Sequence, residues 1–94
     1  MITVGMNYHV IDGKQKAFEQ KFARVTEALE AAEGHDNSHL YVDVADPQSY
    51  IIISQWNDDT AFQNFIRSDA FRKVTDWGSE QILDQRPSHT VYGS

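Results

Sequence analysis

Cysteine is absent from this sequence, which excludes disulfides, thiolate metal sites and a cysteine nucleophile and leaves the redox compartment without a signature. Proline occurs twice, at Pro47 and Pro87, and no linker, repeat or low-complexity tract interrupts the chain. No apolar run approaches the length needed to span a bilayer, and Met1 to Val10 carry no basic leader. A cytoplasmic protein without a membrane partner is the expectation. Lys and Arg total 8 against 14 Asp and Glu, giving a formal charge of −6, and the cations are scattered. Binding a phosphate backbone requires clustered positive charge to displace counterions, so nucleic acid is not an expected partner. A glycine-rich phosphate loop, a Ser-His-Asp order, paired metal carboxylates and a dinucleotide fingerprint are also missing. Hydrolase, kinase and dehydrogenase chemistries drop out with them, and no metal is expected.

What remains is a chain of 94 residues, 40% hydrophobic and 12% aromatic, enough apolar material for one core and too short for two. Residues 1–94 are expected to form a single domain. Ile2 to Ile11 alternate, with Ile2, Val4, Met6, Tyr8 and Val10 on one face and Thr3, Gly5, Asn7, His9 and Ile11 on the other, which predicts a strand. Asp12 with Gln15 resembles a capping box for a helix. Phe18, Phe22, Val25, Leu29 and Ala32 trace its apolar stripe, and Gly34 is expected to close it as a C′ glycine. His39 to Ala45 predict a second strand, Asp46-Pro47-Gln48-Ser49 a type I turn, and Tyr50 to Trp56 a third strand. Asn57 or Asp58 can cap the next helix, whose apolar face is Ala61, Phe62, Phe65 and Ile66. That face is lost at Asp69 and Lys73, so the helix should break near Ser68-Asp69, with Ser68 capping a second piece that ends at Gly78. Ser79 to Gln85 is a connector, and Ser88 to Tyr92 form the last strand.

The order βαββαβ is the ferredoxin-like α+β arrangement, a four-stranded antiparallel sheet ordered fourth, first, third, second, with its helices on one face. Ile51, Ile52 and Ile53 are consecutive on the third strand, so branched apolar side chains leave it on both faces. A second copy of the chain is the simplest cover for the face without helices, which predicts a homodimer.

Asn7 on the first strand, Gln55-Trp56 at the end of the third, and Asp58-Asp59-Thr60-Ala61-Phe62 leading to Ser68-Asp69-Ala70-Phe71 resemble the antibiotic biosynthesis monooxygenase family, whose members are dimeric α+β barrels. The likeness covers nearly the whole chain. The family's haem-degrading branch uses an Asn, a Trp and an axial His. Those positions fall here on Asn7, Phe65 and Thr75, so two of the three are missing and no cofactor is implied. The other branch oxidises phenolic or quinol-like compounds with O₂ alone, in a dry aromatic pocket that favours the deprotonated substrate.

That resemblance implies a cofactor-independent oxygenase for a small aromatic or other hydrophobic molecule, with its pocket between helices and sheet. Asn7 would orient substrate or O₂, and Trp56, Phe65 and Phe71 would form the wall. Thr75 would add a hydrogen bond, and His9 or His89 would be the base, with His9 preferred. The plainer alternatives are an asparagine satisfied by backbone, a solvated His9, and a Trp56 that anchors helix to sheet. His35 is expected at the surface. The rival function is a non-catalytic small-ligand or haem-binding dimer, and a third is an oligomerising domain whose pocket is filled by its own phenylalanines.

Overall fold

A computed structural model describes residues 1–74, 82–85 and 87–93. Its elements are β1 (Ile2–His9), α1 (Gln15–Glu30), β2 (His35–Val42), β3 (Ser49–Trp56), α2 (Asp59–Ile66), α3 (Asp69–Val74) and β4 (Ser88–Tyr92). The four strands form one antiparallel sheet in the order β2-β3-β1-β4, as the ferredoxin-like arrangement requires. Trp77, Gly78 and residues 79–81 of the expected connector lie outside the described residues.

The pleat sorts the side chains. Val4, Met6 and Tyr8 from β1 join Tyr50, Ile52 and Trp56 from β3 and Phe18, Val25, Leu29, Phe62 and Phe65 from the helices in one buried cluster. Ile52, Trp56 and Phe62 are fully buried, and each such side chain contributes about 1.5–3 kcal/mol. Ser54 is buried among them and accepts a hydrogen bond from Trp56 Nε1 at 3.0 Å, so its hydroxyl is satisfied. Ile51 and Ile53 emerge on the opposite face, half-buried. The isoleucine run thus divides between two faces as the alternation demands.

Helix boundaries follow local chemistry. Asp58 caps α2 by accepting the Ala61 N–H at 2.8 Å, settling the choice left open with Asn57. Ser68 Oγ accepts the Phe71 N–H at 3.2 Å and donates to the Phe65 carbonyl at 2.6 Å, so one hydroxyl ends α2 and begins α3 at the expected break. The start of α1 differs from expectation. Lys14 is its N-cap and gives no side-chain cap, while Gln15 accepts from Gly13 N–H at 2.8 Å and donates to Asp12 at 3.3 Å, closing a loop around Gly13 instead.

The second strand is also shifted, to His35–Val42 from the expected His39–Ala45. Its first residues, His35-Asp36-Asn37-Ser38, have low strand preference, but pairing with β3 overrides it through an irregularity between His35 and Asn37. Residues 43–46 turn instead. Asp43 Oδ1 accepts the Ala45 N–H at 2.7 Å, and Val44 is fully exposed. The Asp46-to-Ser49 turn is present, with Ser49 N–H donating to the Asp46 carbonyl at 2.9 Å.

Gly34 lies beyond the α1 cap at Ala31, with φ +86° in the left-handed region. Its carbonyl accepts the Asn57 N–H at 2.8 Å. A Cβ there would collide with the Cβ of Ala61 on α2. Gly13 also has positive φ, +90°, but open space around it. Gly34→Ala is therefore expected to cost roughly 3 kcal/mol, backbone strain plus overpacking, against about 1 kcal/mol for Gly13→Ala. Equal denaturation midpoints for the two variants would refute this.

Candidate functional site

Two depressions open on the helix side. The larger, about 480 Å³, lies between the end of α1 and α2 and is walled mainly by small side chains, among them Ala28, Ala32, Ala61 and Ala70, with Glu33 and Asp58 at its rim. Its polar lining includes Asn57, Thr60, Asn64 and Ser68. The smaller, about 330 Å³, is bounded by Met6 and Tyr8 of β1, Ile66 at the end of α2, Phe71 of α3, and Pro87, Ser88 and His89 at the start of β4. Apolar walls with a few polar groups at one end are the usual form of a small-molecule site.

The register explains this assembly. Met6 pairs with His89 across β1 and β4, so both side chains leave the sheet on the helix side. The His89 ring stands edge-on to Phe62, with centroids 5.4 Å apart, and makes no hydrogen bond among the described residues. Phe71 lines the cavity and packs edge-on against Phe65 at 5.1 Å. Tyr8 is almost fully buried. Its hydroxyl faces Met6 Sδ at 3.8 Å, and burial pushes its phenol well above the usual tyrosine range, so it is a neutral donor rather than a base. Behind it, Tyr8 and Tyr50 flank Phe18 at 5.3 and 4.8 Å. Tyr50 donates to Glu19 at 2.6 Å; burial first, then that carboxylate, pushes its phenol up to about 12.

The residues singled out in the sequence go to different places. Phe71 lines the smaller cavity, and Phe65 lies behind it at the wall of the larger one. Trp56 is fully buried against Phe62 and Phe65, at 5.7 and 5.3 Å, and anchors α2 to the sheet without touching the cavity. Asn7 is exposed on the face opposite the helices, one pleat away from Met6, so it does not line a pocket between helices and sheet. His9 shares that parity and sits between Asp84 and Asp46. Thr75 lies outside the described residues. His35, expected at the surface, is half-buried instead. It is edge-on to Trp56 at 5.1 Å and bonded to Ser38 at 2.7 Å, and burial lowers its pKa.

Met6 and Ile66 carry no site signal in the sequence, and Tyr8 reads there as able to bond a ligand or to staple a dimer. Met6 and Tyr8 read as core from alternation alone, and only the α2–α3 break leaves space above them. His89 was legible as a strand histidine; its register opposite Met6 was not. Among the described residues, no helix is long and apolar enough to cross a membrane, and no group of three His, Asp or Glu could hold a metal ion.

Fold and cavity together define a ferredoxin-like α+β domain with a cavity on its helix side. The chain belongs to the antibiotic biosynthesis monooxygenase family, which it matches over residues 1–77. Of solved structures, it superposes on the cofactor-independent oxygenase SnoaB of Streptomyces nogalater with a TM-score of 0.84 at 20% identity, covering 99% of this chain and 91% of that one. A conserved protein of Methanosarcina mazei gives a TM-score of 0.85 at 24% identity, covering 97% and 89%. These two likenesses are of fold. By sequence, the chain is 38% identical over 87 residues to a protein of Natronomonas pharaonis provisionally named heme-binding. The match covers 93% of this chain but only 14% of that relative.

Ser88 is an exposed lining residue, so filling the cavity there should leave the core intact. Ser88→Trp is expected to weaken binding of the neutral naphthalene probe prodan by about tenfold or more while changing stability by less than about 0.5 kcal/mol. Unaltered prodan fluorescence titration in that variant would place the ligand elsewhere.

Proposed function

We propose that the chain is a cofactor-independent oxygenase that takes a small, electron-rich aromatic molecule into the cavity between β1, β4 and the α2–α3 break. The observation that carries this is the pairing of one imidazole, His89, with apolar walls from Met6, Tyr8, Ile66 and Phe71. An aromatic ring there would pack between Phe71 and Met6, with His89 and Ser88 on the exposed side. His89 would accept the substrate's proton at the ring nitrogen that carries the lone pair, and Tyr8 would donate to the anion formed.

For a phenol bearing a ring CH₂ the balance closes without a reductant. The substrate loses one CH₂ proton to the base, the anion gives one electron to O₂, the radical pair joins as a peroxide at that carbon, and return of the proton followed by loss of water leaves a carbonyl. One CH₂ and one O₂ become one C=O and one H₂O. The protein's share is to hold the anion, exclude water and move the proton.

The haem-binding name of the Natronomonas relative favours a second reading, but it attaches to a protein of which this chain spans 14%. The residues here fit haem poorly. A cavity of about 330 Å³ lies at the low end of small-molecule sites, roughly 300–1,000 Å³, which suits two or three rings better than a porphyrin. Tyr8, kept neutral by burial, is no phenolate ligand, leaving His89 and the Met6 thioether as the candidates for iron among the described lining residues.

Oxygen uptake with 1,8-dihydroxyanthrone is expected, and His89→Gln should lower kcat/KM by about 100-fold or more, as removal of a general base does. Asn7→Ala should stay within about threefold; a sharp fall would move the site to the opposite face of the sheet. A Soret shift on adding haem, with no oxygen uptake on the anthrone, would favour the second reading.

The homodimer is part of the same proposal. Ile51, Ile53 and Tyr92 close over Gly5 on the face without helices and form a partly exposed apolar patch that a second sheet would cover. Ile53→Asp is expected to turn a dimer into a monomer in sedimentation equilibrium. A monomer already in the wild-type chain at micromolar concentration refutes the pairing.

A further inference from the structure

His9 ends β1 with each ring nitrogen against a different carboxylate. Nδ1 is 2.6 Å from Asp84 Oδ1, and Nε2 is 3.1 Å from Asp46 Oδ2. The backbone joins the same three segments. Asp84 N–H donates to the His9 carbonyl at 3.1 Å, Ile11 N–H to the Ile82 carbonyl at 2.8 Å, and Val10 N–H to the Gln48 carbonyl at 2.8 Å. Gln48 adds its side-chain amide to the Val10 carbonyl at 2.9 Å. His9 is thus the junction of the end of β1, the loop between β2 and β3, and the segment 82–85 that leads into β4.

A neutral imidazole has one N–H and one lone pair, so it can serve only one of these carboxylates and repels the other. The imidazolium serves both. Asp84 from the segment 82–85 and Asp46 from the loop are the charged groups that face the ring, and its β3 register partner is the uncharged Ser49. Among the described residues, no Lys or Arg pairs with either aspartate. Asp84 lies three residues before Pro87, where the cavity wall Pro87-Ser88-His89 begins.

We propose that doubly protonated His9 is a positioning residue that ties the segment 82–85 to the end of β1, and so holds the cavity wall at 87–89 against Met6 and Tyr8. Loss of its proton frees one carboxylate and loosens that wall. The part concerning ligand retention rests on the cavity proposed above; the tie itself does not.

The sign follows from the partners. The hydrogen bond to Asp84, then that to Asp46, raises the His9 pKa above its usual value. The tie therefore contributes fully below the unfolded histidine value of about 6.5 and is lost as pH rises through the higher folded value. On the acid side the Gln48 N–H at 3.0 Å, and then His9, hold the Asp46 carboxyl below its usual range, so its end of the bridge persists into acid.

Amide exchange followed by NMR on the full chain tests this. In the wild type, protection of the Asp84 amide is expected to fall about tenfold between about pH 6 and pH 9, while that of Met6 holds. In His9→Gln it should stay at the wild type's high-pH level throughout, with Asp84→Asn giving the same flat profile at the Ile11 amide should the first variant fold poorly. Prodan should bind about fivefold more weakly to either variant at pH 6 and match the wild type at pH 9. A wild-type Asp84 protection that ignores pH, or the same pH profile in His9→Gln, overturns the proposal. Absence of prodan binding at every pH, with the exchange profiles as expected, would refute the cavity and leave the tie standing.

Discussion

The antiparallel pairing of β1 with β3 governs where every candidate residue ends up. It sets Met6 opposite Ile52 and Asn7 opposite Ile51, so alternate residues of both strands go to opposite faces. A slip of one residue would exchange the faces of all of them. The core packed under the helices makes such a slip costly, because Val4, Met6, Tyr8, Ile52 and Trp56 would leave it together. Parity is therefore the constraint from which the cavity, the open sheet face and the histidine tie all follow.

Space for a ligand arises where helical cover fails. Ser68 ends α2 and starts α3 with a single hydroxyl, and the change of direction leaves Ile66 and Phe71 facing Met6 and Tyr8 across a gap. Phe62, Phe65 and Trp56 pack together beside it, which is why a tryptophan with the look of a pocket wall serves as an anchor. The cavity and the open sheet face lie on opposite sides of the same strands, so ligand binding and pairing of copies would not compete for surface.

Much of the architecture was legible in residues. Alternation located β1 and β3, the 3–4 spacing of Phe18, Val25 and Leu29 located α1, and the loss of apolar face at Asp69 located the break before α3. The beginning of β2 was not legible, because His35-Asp36-Asn37-Ser38 has no strand preference of its own and is held by β3. The start of α1 was misleading, since Asp12 and Gln15 have the spacing of a cap yet bond around Gly13. For the site, Phe71 was legible through its place in the family pattern, whereas Met6 and Tyr8 carry no mark that separates a cavity floor from a packed core.

By itself the sequence determined the order of strands and helices, the family, and the presence of branched apolar side chains on both sheet faces, because periodicity, capping chemistry and three adjacent isoleucines are local properties of the chain. Tertiary structure alone decided which parity of β1 faces the helices, that His89 meets Met6 across a strand pair, and that His9 finds two aspartates 37 and 75 residues away. Those are contacts between distant segments. Their geometry depends on register and on how completely neighbouring side chains fill the space, and no short stretch of sequence carries either.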